Sequence, residues 1–404
     1  SDSWILSRLT VGIERKEGVC ALFFLRRNNK NPKMVFEGIK VIALEQAVAA
    51  PLCTRRLAQK GAEVIKIERE TGDFARHYDS AVKGQSAYFV WLNGGKKSVV
   101  LNLEDEQHKA TLASLVESAD ILVQNLKPGT LSKLGFDLND WHSNNPRLIS
   151  CSISGFAPDG PGFSRKAYDL LIQAESGLAS ITGSPDEPGR VGVSVVDIAS
   201  GMFAYEAILE ALIRRFSTGL GEKLDVSLFD SVAELLTVPY LLDRYGEAAP
   251  RRIGLAHPGI APYGVFHCKD SKKILIGVQN EREWQRLAIG VLEMPEVATD
   301  TRFVSNELRV TNRDLLNKII EEKFSALSFT EISRALDDAD IAFAPVNELS
   351  GLRDHPDLHL SRVRVGEDVV DLPRVPGSQG YNESAQEVPS LGQHTREILD
   401  RIDS

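Results

Sequence analysis

Residues Val191–Phe216 read VGVSVVDIASGMFAYEAILEALIRRF. The first six are small or β-branched, which predicts a buried strand. From Ile198 onward, apolar residues recur at Met202, Ala204, Ile208, Leu209, Leu212, Ile213 and Phe216, the spacing of an amphipathic helix. One carboxylate, Asp197, stands at the joint, and two readings of it are open. As a helix N-cap it accepts orphan amides and sets its charge against the positive helix end. At the carboxyl edge of a sheet it stands where α/β proteins place their chemistry, as a candidate nucleophile.

Working outward, strand and helix patterns alternate. Phe36–Leu44 ends in a buried strand, Leu52–Lys60 reads as a helix stopped by Gly61, and Val64–Ile67 is a second strand. This makes a βαβ unit of about thirty residues and starts a parallel sheet. Val99–Leu103, Asp120–Gln124, Leu148–Ile153 and Lys223–Ser227 continue the strands. Glu104–Ser118, Lys166–Gly183 and Leu228–Tyr245 read as helices. Gly72–Asn93 is aromatic and aperiodic, a long excursion over the face that would carry the site. The alternation predicts a doubly wound α/β domain. Composition shifts at Gly246–Arg252, and Gly254–Phe266 is turn-rich. Lys273–Val278, Glu281–Leu292 and Asn312–Ala326 read as a smaller α+β segment, and Ser390–Arg401 as a closing helix.

The chain has 404 residues, enough for two domains, with 43% hydrophobic and 25% charged residues. A net charge of −9 argues against nonspecific nucleic-acid binding. Cys20, Cys53, Cys151 and Cys268 are too scattered for a zinc site and fit free thiols in a reducing compartment. No sequence pattern supports a metal, and no run of eighteen apolar residues points to a membrane span. Residues 1–33 carry seven Lys/Arg against three acids and interrupt every apolar run, unlike a secretory signal. They are expected to be a poorly ordered extension outside the fold. Their basic character suits a mitochondrial presequence, but their acids count against it.

The loop after the first strand, EQAVAAP, lacks the dinucleotide-binding Gly-x-Gly-x-x-Gly pattern. No Gly-x-Ser-x-Gly elbow or P-loop appears either. Basic residues recur where strands hand over to loops: Arg69 beside Glu68, Lys96-Lys97, Lys127, Lys133 and Lys166. Singly they read as solvated surface charge; together they suit a phosphorylated ligand lying across the strand ends. His257 and His267 are candidate acid/base groups. Without a family, the reading stops at an α/β enzyme or binding protein for an anionic ligand.

Several blocks in order resemble the class III CoA-transferase family, which also holds α-methylacyl-CoA racemases and carnitine-related CoA enzymes. They are LEQAVAAPLCTRRLAQKGAEVIKIE (44–68), WLNGGKKSVVLNL (91–103), ADILVQNLKPGTLSKLGF (119–136) and PRLISCSISGF (146–156). KAYDLLIQAESGLASITG (166–183), VVDIASGMFA (195–204) and LGQHT (391–395) complete them. The resemblance implies a large Rossmann-like α/β domain that binds CoA, formed by residues 34–229 and 345–404. It further implies a linker over 230–252, a small α+β domain with its return linker over 253–344, and an interlaced homodimer.

The resemblance also implies Asp197 as the catalytic nucleophile and CoA contacts at Val48, Ala49, Arg69, Leu101, Asn125, Leu126, Lys133 and Lys166. Coenzyme A and its acyl thioesters would be substrates, with no tightly bound cofactor and no metal. Val48 and Lys133 replace a glutamine and an arginine of the formyl-CoA transferase pattern. HPGIAPYG (257–264) stands where that enzyme has a glycine-rich loop; it resembles the dicarboxylate-handling branch, and Gly254–Gly264 would supply oxyanion donors. Tyr168 falls where the racemases keep a catalytic His. A phenol is a poor base for an α-proton at neutral pH, so transferase is preferred over racemase. A CoA-thioester-binding protein without turnover is the other alternative. The expected reaction moves CoA from succinyl-CoA to itaconate, mesaconate, citramalate, malate or glutarate. The expected compartment is the cytoplasm, or the mitochondrial matrix in a eukaryote.

Overall fold

The computed structural model describes residues 34–246, 252–378 and 385–402. The 1–33 extension and residues 247–251 of the linker lie outside the described residues. Six parallel strands form the main sheet: β1 (Lys40–Leu44), β2 (Glu63–Glu68), β3 (Lys97–Val100), β4 (Ile121–Gln124), β5 (Ile149–Ser154) and β6 (Lys223–Ser227). Their spatial order is β3-β2-β1-β4-β5-β6, the doubly wound order. Both faces of such a sheet are covered, so the central strands read as unbroken apolar runs. Val41, Ile42, Ala43, Ile121, Leu122 and Val123 are accordingly buried. The chain reverses direction across the sheet between β1 and β4, paired in register from Val41↔Ile121 to Leu44↔Gln124. That switch point opens a crevice at the carboxyl ends, where ligands of this fold class bind.

Two further sheets follow. β7 (Tyr263–His267), β8 (Lys273–Gly277) and β9 (Ala342–Pro345) pair antiparallel and pack on their own apolar cluster around Trp284, Phe303 and Phe324. β10 (Leu360–Val365) and β11 (Asp368–Pro373) form a hairpin, and β12 (Gln386–Glu387) lies parallel to β10. The turn-rich reading of Gly254–Phe266 therefore missed β7, and the β10–β11 hairpin was not read from sequence at all.

The opening stretch needs the main correction. Val191–Ser194 is irregular, with Val193 55% exposed, and the helix begins at Val195 and runs to Thr218. The main sheet takes no strand from this stretch: β5, the strand before it in the chain, is flanked by β4 and β6. The helix buries Ala204, Ile208 and Leu212 as its spacing suggests, but three of the large residues in that pattern stay outside. Met202, Ile213 and Phe216 are exposed, while Ala199, Ser200, Gly201, Ala204 and Ala211 face inward. Gly201 explains the choice: a Cβ there would lie 2.5 Å from the Ala49 carbonyl oxygen. Only a glycine lets this helix approach the helix Ala49–Gln59 so closely. Two expected long helices are broken, Lys166–Gly183 at Gly177 (φ +88°) and Leu228–Tyr245 at Leu236.

Candidate active site

A cleft of about 1190 Å³ lies at the carboxyl ends of the parallel strands. The loops after β1 and β4 form its floor and are clamped together. Asn125 Oδ1 accepts the Gln46 amide at 2.9 Å, and Asn125 Nδ2 donates to the Gln46 carbonyl at 2.8 Å. Ala47 next door is held at φ +61°, a left-handed conformation unusual for a residue with a side chain. Its amide donates to Asp73 Oδ1 at 3.1 Å. Asp73 in turn receives Lys66 Nζ at 2.8 Å, and its own amide donates to Glu68 at 2.9 Å. A buried ion network thus holds a backbone shape that glycines provide in dinucleotide-binding loops.

Glu45 is the centre of that network, accepting from Thr54 Oγ1 at 2.6 Å and Lys96 Nζ at 2.6 Å. Burial pushes the Glu45 carboxyl up, but the Lys96 and Lys66 ammoniums outweigh it and hold it below the usual value. Burial brings Lys96 down to about 8 against the pull of Glu45. Lys96 is therefore sealed in the interior, and Lys97 pairs with Glu63 and Glu397 at 2.8 Å each. Neither lines the cleft, which corrects their reading as ligand-facing cations.

Asp197 lines the cleft from the first turn of the Val195–Thr218 helix, whose N-cap position is Ser194. It is not the cap. Asp169 Oδ1 takes that part, accepting the amides of Val196 at 2.8 Å and Asp197 at 3.3 Å. With the helix amides satisfied elsewhere, the Asp197 carboxyl is pushed up to about 7, by burial first and then by the Asp169 charge. Tyr168 precedes Asp169, lines the same cleft and is 60% exposed. Tyr78, from the aromatic excursion, shares the wall. Its phenol is raised to about 12 by burial first, then by the charges of Asp73 and Asp197.

Of the expected CoA contacts, Val48, Ala49, Arg69, Leu101, Asn125, Leu126 and Lys166 line the cleft; Lys133 does not. No residue of Gly254–Gly264 lines it either. Arg313 ties that loop down by donating to the carbonyls of His257, Pro258 and Ile260. His257 stacks on Tyr263, and His267 pairs with Glu321 at 2.8 Å, so neither histidine reaches the cleft. Asp169, Gln173, Tyr78 and the Glu45 network were missed by sequence reasoning. The one sequence signal was the spacing of Asp169 and Gln173, four residues apart on one helix face. Among the described residues, no helix is long and apolar enough to cross a membrane, and no side-chain cluster could hold a metal ion.

A doubly wound sheet with a carboxylate-bearing helix at its switch-point cleft defines an α/β enzyme site for an extended ligand. The chain belongs to CoA-transferase family III, whose model matches residues 36–395, and it is an enzyme of the CoA-transferase type. It is 34% identical over 376 residues to succinyl-CoA:glutarate CoA-transferase of Mus musculus, covering 91% of this chain and 86% of the relative. It is 40% identical over 321 residues to acetyl-CoA:oxalate CoA-transferase of Acetobacter aceti, covering 79% and 81%. The crystal structure of a CAIB/BAIF family protein from Brucella suis superposes with a TM-score of 0.78 at 30% identity, covering 92% of this chain and all of that one.

Proposed function

We propose that this enzyme transfers CoA from succinyl-CoA to a four- or five-carbon dicarboxylic acid, with Asp197 as nucleophile. The observation that carries the reading is Asp197 itself: a half-buried carboxylate with no cationic partner among the described residues, lining a cleft of about 1190 Å³. The glutarate-using relative supports the substrate class. Asp197 attacks the thioester carbonyl and expels CoA thiolate, leaving a mixed succinyl–aspartyl anhydride. The thiolate attacks the aspartyl carbon and releases succinate, giving an aspartyl-CoA thioester. The acceptor carboxylate attacks that thioester, forming a second anhydride and freeing the thiolate again. The thiolate then takes the acceptor's acyl carbon and restores Asp197. Every step is acyl transfer, with no net oxidation.

Val48, Ala49, Arg69, Leu101, Asn125, Leu126 and Lys166 are the proposed CoA contacts. Tyr168 borders the reacting carboxylate; its place favours transfer over racemisation because a phenol is a weak base at neutral pH. The separate apolar cluster of the β7–β9 sheet supports a small domain between residues 253 and 344. The interlaced homodimer implied by family resemblance is supported by the exposed Ile213, Phe216 and Tyr245 side chains. A screen of acceptors with succinyl-CoA tests the substrate class. Glutarate, mesaconate, citramalate, itaconate or malate should turn over at least tenfold faster than oxalate, and Asp197→Ala should abolish exchange with CoA still bound. Oxalate, a two-carbon dicarboxylate, as the best acceptor would overturn the four- or five-carbon assignment.

A further inference from the structure

Asp169 stands on the helix Asp169–Glu175 yet organises the first turn of another helix. Its Oδ1 takes the Val196 and Asp197 amides, and its Oδ2 accepts Gln173 Nε2 at 2.7 Å. Gln173 is fully buried, and its Oε1 accepts the Val191 amide at 2.9 Å. This carboxylate–amide pair therefore pins both ends of the bend that carries the chain into the Asp197 helix. Ser194, at the N-cap position, makes no side-chain cap of its own. A cap could come from a neutral serine. A second carboxylate beside the first is a costly way to provide one.

We propose that Asp169 is a positioning residue for acyl transfer: it fixes the first turn of the Asp197 helix and, as a like charge, drives the Asp197 carboxylate toward the cleft. The inference rests on Asp197 being the nucleophile. Tyr168, Tyr78, Tyr88, Lys166 and Arg190 share the cleft wall with the two carboxylates. After burial, the repulsion that acts on Asp197 comes from Asp169. A carboxylate held this way binds a proton more readily in the free enzyme. It is also a more basic attacking group once that proton has left.

The test is the pH profile of kcat/KM for CoA transfer in the full chain and in Asp169→Asn, Asp169→Glu and Asp197→Ala. Asp169→Asn keeps an oxygen for the two amides and deletes the charge, at the cost of the Gln173 Nε2 bond to Oδ2. Its acid-limb midpoint should fall by about one pH unit relative to the wild type. Asp169→Glu keeps the charge but moves the acceptor, so the midpoint should stay while kcat falls about tenfold with KM for acyl-CoA unchanged. An unshifted midpoint in Asp169→Asn, or Asp169→Glu losing only thermal stability, would overturn the proposal. Asp197→Ala keeps the two readings apart: persistent turnover there removes the nucleophile assignment, whatever the Asp169 variants do.

Discussion

Ser98 and His394 grip each other at both backbone and side chain. The His394 amide donates to the Ser98 carbonyl at 2.9 Å, and the Ser98 amide donates to His394 Nδ1 at 3.2 Å. Ser98 Oγ also accepts the Gly392 amide and donates to Glu68 at 2.6 Å, while Thr395 Oγ1 accepts the Val100 amide. The LGQHT block thus covers the open edge of β3, which would otherwise present unpaired amides to other chains. It also ties the C-terminus to the network under the cleft.

His394→Ala should strip the Ser98 amide of its acceptor and cost about 1–3 kcal/mol in urea unfolding at pH 7.5. Burial holds the His394 imidazole below its ordinary 6.5, so the unfolded chain takes up the proton first. The wild type therefore keeps this contribution above pH 6.5 and loses it as pH falls below that value. Unfolding at pH 7.5 and 5.5 should show a smaller pH dependence in His394→Ala than in the wild type.

At Gly201 the added methyl of an alanine meets the Ala49 carbonyl and the Leu52 Cβ, the latter at 2.9 Å. Neither belongs to a flexible side-chain end, so the helix itself must move. Gly201→Ala should cost about 1–3 kcal/mol. Because Asp197 lies one turn earlier, a displacement of about 1 Å should also lower kcat by up to about 10²-fold. Thermal melts and steady-state kinetics read the two effects separately.

Asp197 should also be a stability liability. Its folded-state pKa near 7 lies above the ordinary 3.8, so the folded protein holds a proton that the unfolded chain releases. Stability is then lost as pH rises from about 4 toward 7. Asp197→Asn should be more stable than the wild type above pH 7, by on the order of 2 kcal/mol. The difference should vanish below pH 4. Urea midpoints across that range check it.

The parallel sheet was readable because its strands are short apolar runs between helical patterns, as at Val41–Leu44 and Ile121–Val123. The β-branched residues of Val191–Val196 carried the same local signal and misled, because a sheet position is decided by the neighbours available. Lys96 was misread for a related reason: beside Lys97 it looks like surface charge, and its burial is made tolerable by Glu45, fifty-one residues away, and by the Pro51 carbonyl. Asp197 was found as a residue, but its cap was not. Asp169 reaches it from another helix, a contact that no local spacing records.

The covalent state of Asp197 tests the nucleophilic role most directly. Full-length enzyme would be mixed with succinyl-CoA alone, acid-quenched within one turnover, digested and analysed by mass spectrometry. The peptide carrying Asp197 should gain the mass of CoA less water, and added hydroxylamine should convert it to the aspartyl hydroxamate. Active enzyme with no adduct on that peptide, or with CoA attached at another residue, would contradict Asp197 as the acyl-accepting group.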